Sequence, residues 1–139
     1  MTHFADLSTT TQIARGPHVR AIGWLSAKYS YPKGPSPEAF IERLRSLCGR
    51  WGESVRALDW PIAGGFHTCE LCNDFRAAGN FGVPAGAALF VAPEIVAHYV
   101  EKHGYLPPQE FIDAVMVSPT PGTADYADAV KLFVPGSAG

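Results

Sequence analysis

The chain predicts an α+β fold, a small and mostly antiparallel sheet with three to four helices packed on it. Three observations lead there. Short β-branched and aromatic runs alternate with segments of helical periodicity, 14 glycines and 12 prolines break the chain into short elements, and no internal repeat is present. With 139 residues, 47% of them hydrophobic, and eight Phe, five Tyr and three Trp, one domain can bury a core without disulfides. That domain is expected to fill residues 17–134, with flexible tails at 1–16 and 135–139.

The first strand falls in His18 to Leu25, where Val19, Ile22 and Trp24 suit a pleated surface and Gly23 marks a bulge or a close approach. A turn-rich aromatic loop follows through Tyr29, Tyr31, Pro32 and Gly34. Ser36-Pro37-Glu38 opens a helix, with Ser36 as cap, Pro37 in the first helical position and Glu38 at the positive end of the dipole. Phe40, Ile41, Leu44, Leu47 and Cys48 then form one apolar face, which assigns Cys48 to core packing.

Phe66 to Leu71 reads as a short strand, and Phe81 to Val91 as a hairpin turning at Pro84-Ala85-Gly86. Pro93 opens a helix carrying Ile95, Val96, Tyr99, Val100 and His103, which Gly104 closes. After Pro107-Pro108, Gln109 to Met116 forms a further helix with Phe111, Ile112 and Val115 inward. Thr123 caps a last one bearing Tyr126, Val130 and Phe133.

Charge excludes some partners. The net charge is −2, the pI about 6.2, and no block of Lys and Arg exceeds the scattered Arg43, Arg45, Arg50 and Arg56, so nucleic acid is not an expected partner. No apolar run approaches the roughly 20 residues that span a bilayer, and the first residues lack a signal-peptide pattern. A membrane is not expected, and a cytoplasmic location is the default. Three cysteines, two of them in C-x-x-C, agree with a reducing compartment.

The chemistry concentrates in Gly65-Phe66-His67-Thr68-Cys69-Glu70-Leu71-Cys72, where His67, Cys69 and Cys72 set three transition-metal ligands within six residues. On a strand His67 and Cys69 share a face, and the two residues between the cysteines let the second sulfur turn onto the same ion. A fourth ligand must come from elsewhere. His98 and His103 are the candidates: the helical wheel turns His103 inward, whereas a strand at Leu89-Phe90-Val91 running parallel to Phe66–Leu71 would bring His98 beside the cysteines. His98 is taken as ligand and His103 as the alternate, in reserve as a supporting or substrate-facing group.

Mixed thiolate and imidazole donors put zinc first, with iron and copper as alternatives. Four protein ligands would make the ion structural. Three would leave a position for water, and Glu70 or His103 would then be the general base of a hydrolytic enzyme. A thiol oxidoreductase using Cys69 and Cys72 is a further alternative, weakened because Glu70 between the sulfurs disfavours the thiolate. Two cysteines packed inertly are the plainest alternative. The deaminase pattern, with proline before the C-x-x-C, is absent. The three tryptophans are assigned to packing, Pro107-Pro108 to a helix start, and His3 and His18 to solvent.

In its H-x-C-E-x-C run and in the segment Val91-Ala92-Pro93-Glu94-Ile95-Val96-Ala97-His98-Tyr99-Val100-Glu101-Lys102-His103-Gly104-Tyr105-Leu106-Pro107-Pro108, the chain resembles a group of small uncharacterised bacterial proteins. The likeness covers about residues 64–121, with His67, Cys69, Cys72, His98 and His103 as its polar members. It implies that the two histidine-bearing segments share one site. It carries no substrate or mechanism. The reading is therefore a small metal-binding protein whose ion braces a module for a small molecule or protein partner, with a metal-dependent enzyme as the alternative.

Overall fold

The computed structural model describes residues 3–60 and 66–134. Its central sheet has three strands, β1 (Val19–Ala21), β5 (Ala88–Pro93) and β4 (Asn80–Ala85), in that order across the sheet. Strand β1 pairs parallel to β5, with Val19 opposite Leu89, and β4 pairs antiparallel to β5, with Asn80 opposite Pro93. A separate antiparallel hairpin joins β2 (Phe66–Thr68) to β3 (Arg76–Ala78). The domain is α+β, and among the described residues two of the three strand pairings are antiparallel.

Five α-helices surround the sheet among the described residues: α1 (Glu38–Cys48), α2 (Trp51–Leu58), α3 (Val96–His103), α4 (Gln109–Val117) and α5 (Ala124–Ala129). Strand β5 shows why its sequence is apolar almost throughout. Phe90 and Ala92 enter one core with Phe40, Leu44, Val96, Tyr99 and Phe111, while Leu89 and Val91 enter a second with Val19, Trp24, Leu58 and Tyr126. Both faces are covered, so neither alternate set can be polar. The Trp24 indole, fully buried, donates to the Val91 carbonyl at 3.0 Å.

Gly23 is held by a close approach. Its φ is +75°, and a Cβ there would stand 2.5 Å from Val96 Cγ2, so the chain leaving β1 runs against the first turn of α3. The expected α1 forms, but Ser36 does not cap it. The helix starts at Glu38 behind Pro37, and Ser36 Oγ is buried without a hydrogen-bond partner among the described residues. Thr123 does accept from the Tyr126 amide, at 3.2 Å, as an N-cap should.

One departure from expectation concerns the N-terminal segment. The segment expected as a flexible N-terminal tail lies along the end of β1 and the chain after it: Phe4 N–H donates to Trp24 O at 3.2 Å, Leu7 N–H to Ala21 O at 2.7 Å, and Ala21 N–H to Ser8 O at 2.8 Å. Asp6 fastens it further, accepting from the Gly23 amide at 3.1 Å and the Tyr105 hydroxyl at 2.7 Å. Burial pushes the Asp6 carboxyl up, and those two bonds oppose the shift. The expected tail at 135–139 lies outside the described residues. No helix is long and apolar enough to cross a membrane among the described residues.

The antiparallel β4–β5 pair also positions the site. Because Asn80 sits opposite Pro93, the hairpin that precedes β4 and the helix that follows β5 emerge at the same end of the sheet. The Glu94 amide, donating to Gly79 O at 3.0 Å, ties the two exits together. The cysteine-bearing turn of β2–β3 therefore faces α3. The parallel neighbour of β5 is β1, not the Phe66–Leu71 segment, which pairs with β3.

Candidate metal centre

Cys69 and Cys72 lie in the turn of the β2–β3 hairpin, and His98 and His103 lie on α3. Their ligand atoms all fall within 4.8 Å of one another. Cys69 Sγ is 3.4 Å from His103 Nε2, and Cys72 Sγ is 3.5 Å from His98 Nε2. Cys69 is fully buried and the other three are half-buried. Such a set of two thiols and two imidazoles can hold a metal ion.

The hairpin turn is built for the sulfurs. Strand β2 ends at Thr68, the Cys69 amide donates to Phe75 O at 2.8 Å, and the Asn73 amide returns to Cys69 O at 2.8 Å with Asn73 at φ +60°. Burial pushes the Cys69 thiol up. The amides of Cys72 and Leu71 bond to its sulfur and draw it back, the arrangement that a thiolate ligand needs, while the neighbouring Cys72 thiol raises it. Burial, then His103 and Lys102, hold His98 below the usual imidazole range, which favours the neutral form that ligates. Phe75 covers this imidazole, its ring stacked on His98 at 4.2 Å.

On an ideal α-helix residues five apart diverge by about 140°. His98 and His103 nonetheless converge, with ring centroids 5.0 Å apart. Beyond His103 the chain leaves the α pattern: Gly104 and Tyr105 both donate to Tyr99 O, reaching back five and six residues instead of four. Gly104, left-handed at φ +64°, ends the helix there, and the Tyr31 hydroxyl donates to His103 O at 3.1 Å.

His67, expected as the third local ligand, is not among the four. Its Nε2 lies 3.2 Å from Asn80 Oδ1, and its ring meets the Trp24 ring edge-on at 5.6 Å. The reason is the length of β2: strand alternation stops at Thr68, so it does not carry through to Cys69. His67 instead fastens the hairpin to the start of β4, and burial lowers its pKa. The His103 held in reserve joins the cluster alongside His98. A signal for the pair was available in the spacing, Cys69-x2-Cys72 followed by His98-x4-His103, which falls within zinc-ligand patterns.

Glu70, considered as a general base, accepts through Oε1 from Ser26 Oγ at 2.9 Å and from the Ala27 amide at 3.1 Å. These bonds attach the hairpin turn to the loop after β1. Cys48 lies in the core beside Phe40 and Leu44, apart from the four-residue group, and burial pushes its thiol well up. The fully buried Tyr99 hydroxyl has no hydrogen-bond partner among the described residues. Its pKa is raised by burial first and then by the charges of Cys69, Glu70 and Cys72, which places it in the field of the site.

A protein-family model matches residues 2–116, and the chain belongs to that family, described as a domain of unknown function (DUF7919). The match includes all four clustered residues and stops before α5. Comparison with curated proteins and with solved structures gives no match.

Proposed function

We propose that this protein binds zinc through Cys69, Cys72, His98 and His103, and that the ion braces the β2–β3 hairpin against α3 in a module that binds a small molecule or another protein. The carrying observation is the convergence of four ligand atoms within 4.8 Å from two distant segments. A pair of thiolates with two neutral imidazoles suits zinc and fills a tetrahedral sphere, which favours a closed, bracing site over one with a place for water. Iron and copper compete for the same donors.

Bracing has a physical purpose here. The hairpin is short, its Phe66 and Phe75 are exposed, and an isolated two-stranded ribbon is marginal in water. A four-ligand cross-link would fix it to the domain. Elemental analysis of the purified chain tests this. One zinc per chain, lost in both Cys69→Ser and Cys72→Ser and kept in Cys48→Ala, supports the reading; full metal content in both cysteine-to-serine variants rejects it.

A further inference from the structure

Within the four-residue cluster the two sulfurs differ in access. Cys69 is fully buried, whereas Cys72 is half-buried and lines a cavity of about 610 Å³ together with His98, His103, Phe75, Ala77 and Ala97. A small reagent in the cavity therefore reaches Cys72 before Cys69. The two sulfur atoms lie within 4.8 Å of each other in one hairpin turn, with two residues between them in the chain. An accessible thiolate with a second cysteine at hand is the arrangement that turns a first oxidation into a disulfide.

Cys48 lines the same cavity and supplies a contrast. It belongs to the core, stands outside the four-residue group, and burial pushes its thiol well up, so near neutrality it keeps its proton. The thiolate, not the thiol, is the nucleophile, and a thiol that coordinates a metal is deprotonated outright. Cys72 thus combines charge with access. Cys69 lacks the access and Cys48 lacks the charge.

We propose that Cys72 is a site of oxidation by hydroperoxides and that the reaction ends in a Cys69–Cys72 disulfide that releases the ion, a step that rests on zinc being held by these four residues. The Cys72 thiolate attacks one oxygen of hydrogen peroxide; an S–O bond forms, the O–O bond breaks and hydroxide leaves. The Cys69 thiolate then attacks the Cys72 sulfur, an S–S bond forms and a second hydroxide leaves. Two electrons pass from the sulfur pair to the peroxide, and the two thiolate charges that balanced the ion are gone. His98 and His103 alone make half of a tetrahedral sphere, so the ion departs. The hairpin loses its link to α3, while Glu70 keeps its bonds to Ser26 and Ala27 and His67 its contact with Asn80. The loosening is therefore local to the face where the hairpin and α3 border the cavity.

The test treats the zinc-loaded full chain with hydrogen peroxide. Freed zinc is read by a chromogenic chelator too weak to strip the untreated chain, and each cysteine by alkylation and peptide mass spectrometry. One zinc should leave per chain in step with the Cys69–Cys72 disulfide while Cys48 stays reduced, and dithiothreitol with added zinc should restore the starting state. Dimedone present during the reaction should label Cys72 and not Cys69. Cys48→Ala should respond as wild type does. A disulfide to Cys48, dimedone on Cys69, or zinc loss that accompanies only sulfinic or sulfonic acid would each overturn the proposal. Metal content measured before peroxide separates the two readings: a chain that takes up no zinc rejects the zinc site and the proposal with it, whereas a chain that holds one zinc and keeps it in a large excess of peroxide rejects the proposal alone.

Discussion

Replacing Gly23 by alanine should destabilise the domain by about 2–5 kcal/mol. Two costs add. At φ +75° an L-residue pays about 1–2 kcal/mol for the left-handed backbone, and a Cβ 2.5 Å from Val96 Cγ2 and 3.1 Å from Val96 Cβ must force the first turn of α3 outward, an overpacking cost of about 1–3 kcal/mol. Gly104 supplies the control, since its φ is +64° but nothing lies within 4 Å of its Cβ position. Gly104→Ala should show the backbone cost alone, about 1–2 kcal/mol. Urea denaturation of both variants, and of Gly23→Ala combined with Val96→Ala, reads the two contributions separately; relief of the clash should appear as a favourable coupling of about 1–3 kcal/mol. A Gly23→Ala variant within about 0.5 kcal/mol of wild type, or one strictly additive with Val96→Ala, would refute the close approach of β1 and α3.

Other perturbations probe separate parts of the structure. Because the folded state raises the Glu94 pKa from 4.5 to about 8, the stability linked to it is full below pH 4.5 and is lost as pH rises toward about 8. Glu94→Gln lacks this dependence, so denaturation midpoints of wild type should fall relative to the variant across that window; parallel pH profiles would contradict the burial of this carboxyl. Tyr126→Phe removes hydroxyl bonds to Gly82 O at 2.7 Å and Ser54 Oγ at 3.2 Å in the core. It should cost about 1–3 kcal/mol in denaturant while leaving metal content unchanged. In thiol labelling of the metal-loaded chain, a chelator should expose Cys69 and Cys72 to reagent; thiols equally reactive before and after chelation would contradict their ligation.

Elements announced by strong periodicity or by cap residues were legible in the sequence. The stripe from Phe40 to Cys48 gave α1, the run from Phe81 to Val91 gave the β4–β5 hairpin, and Gly104 and Thr123 marked the ends of α3 and α5. Helix α2 was not legible, because Gly52 interrupts it and its only buried large apolar residues are Val55 and Leu58. Strand β3, Arg76-Ala77-Ala78, has no β-branched residue to announce it. The N-terminal segment is held largely through backbone hydrogen bonds, which side-chain patterns do not display.

The site was legible as a cysteine pair with histidines from α3, and the geometry of the pair was not. An ideal helical wheel sets His98 against His103, whereas the two imidazole rings converge with centroids 5.0 Å apart. Alternation along a strand put His67 with Cys69, and the early end of β2 separated them. The misplacement of His67 comes from extending the strand period past the end of β2, where the turn sets the direction of side chains.

X-ray absorption at the zinc edge of the metal-loaded chain tests the central claim most directly. A shell of two sulfurs at about 2.3 Å and two imidazole nitrogens at about 2.0 Å is expected, unchanged in His67→Ala and lost or altered in His98→Ala and in His103→Ala. A shell without both sulfurs, or one that survives intact without His98 and without His103, would contradict it.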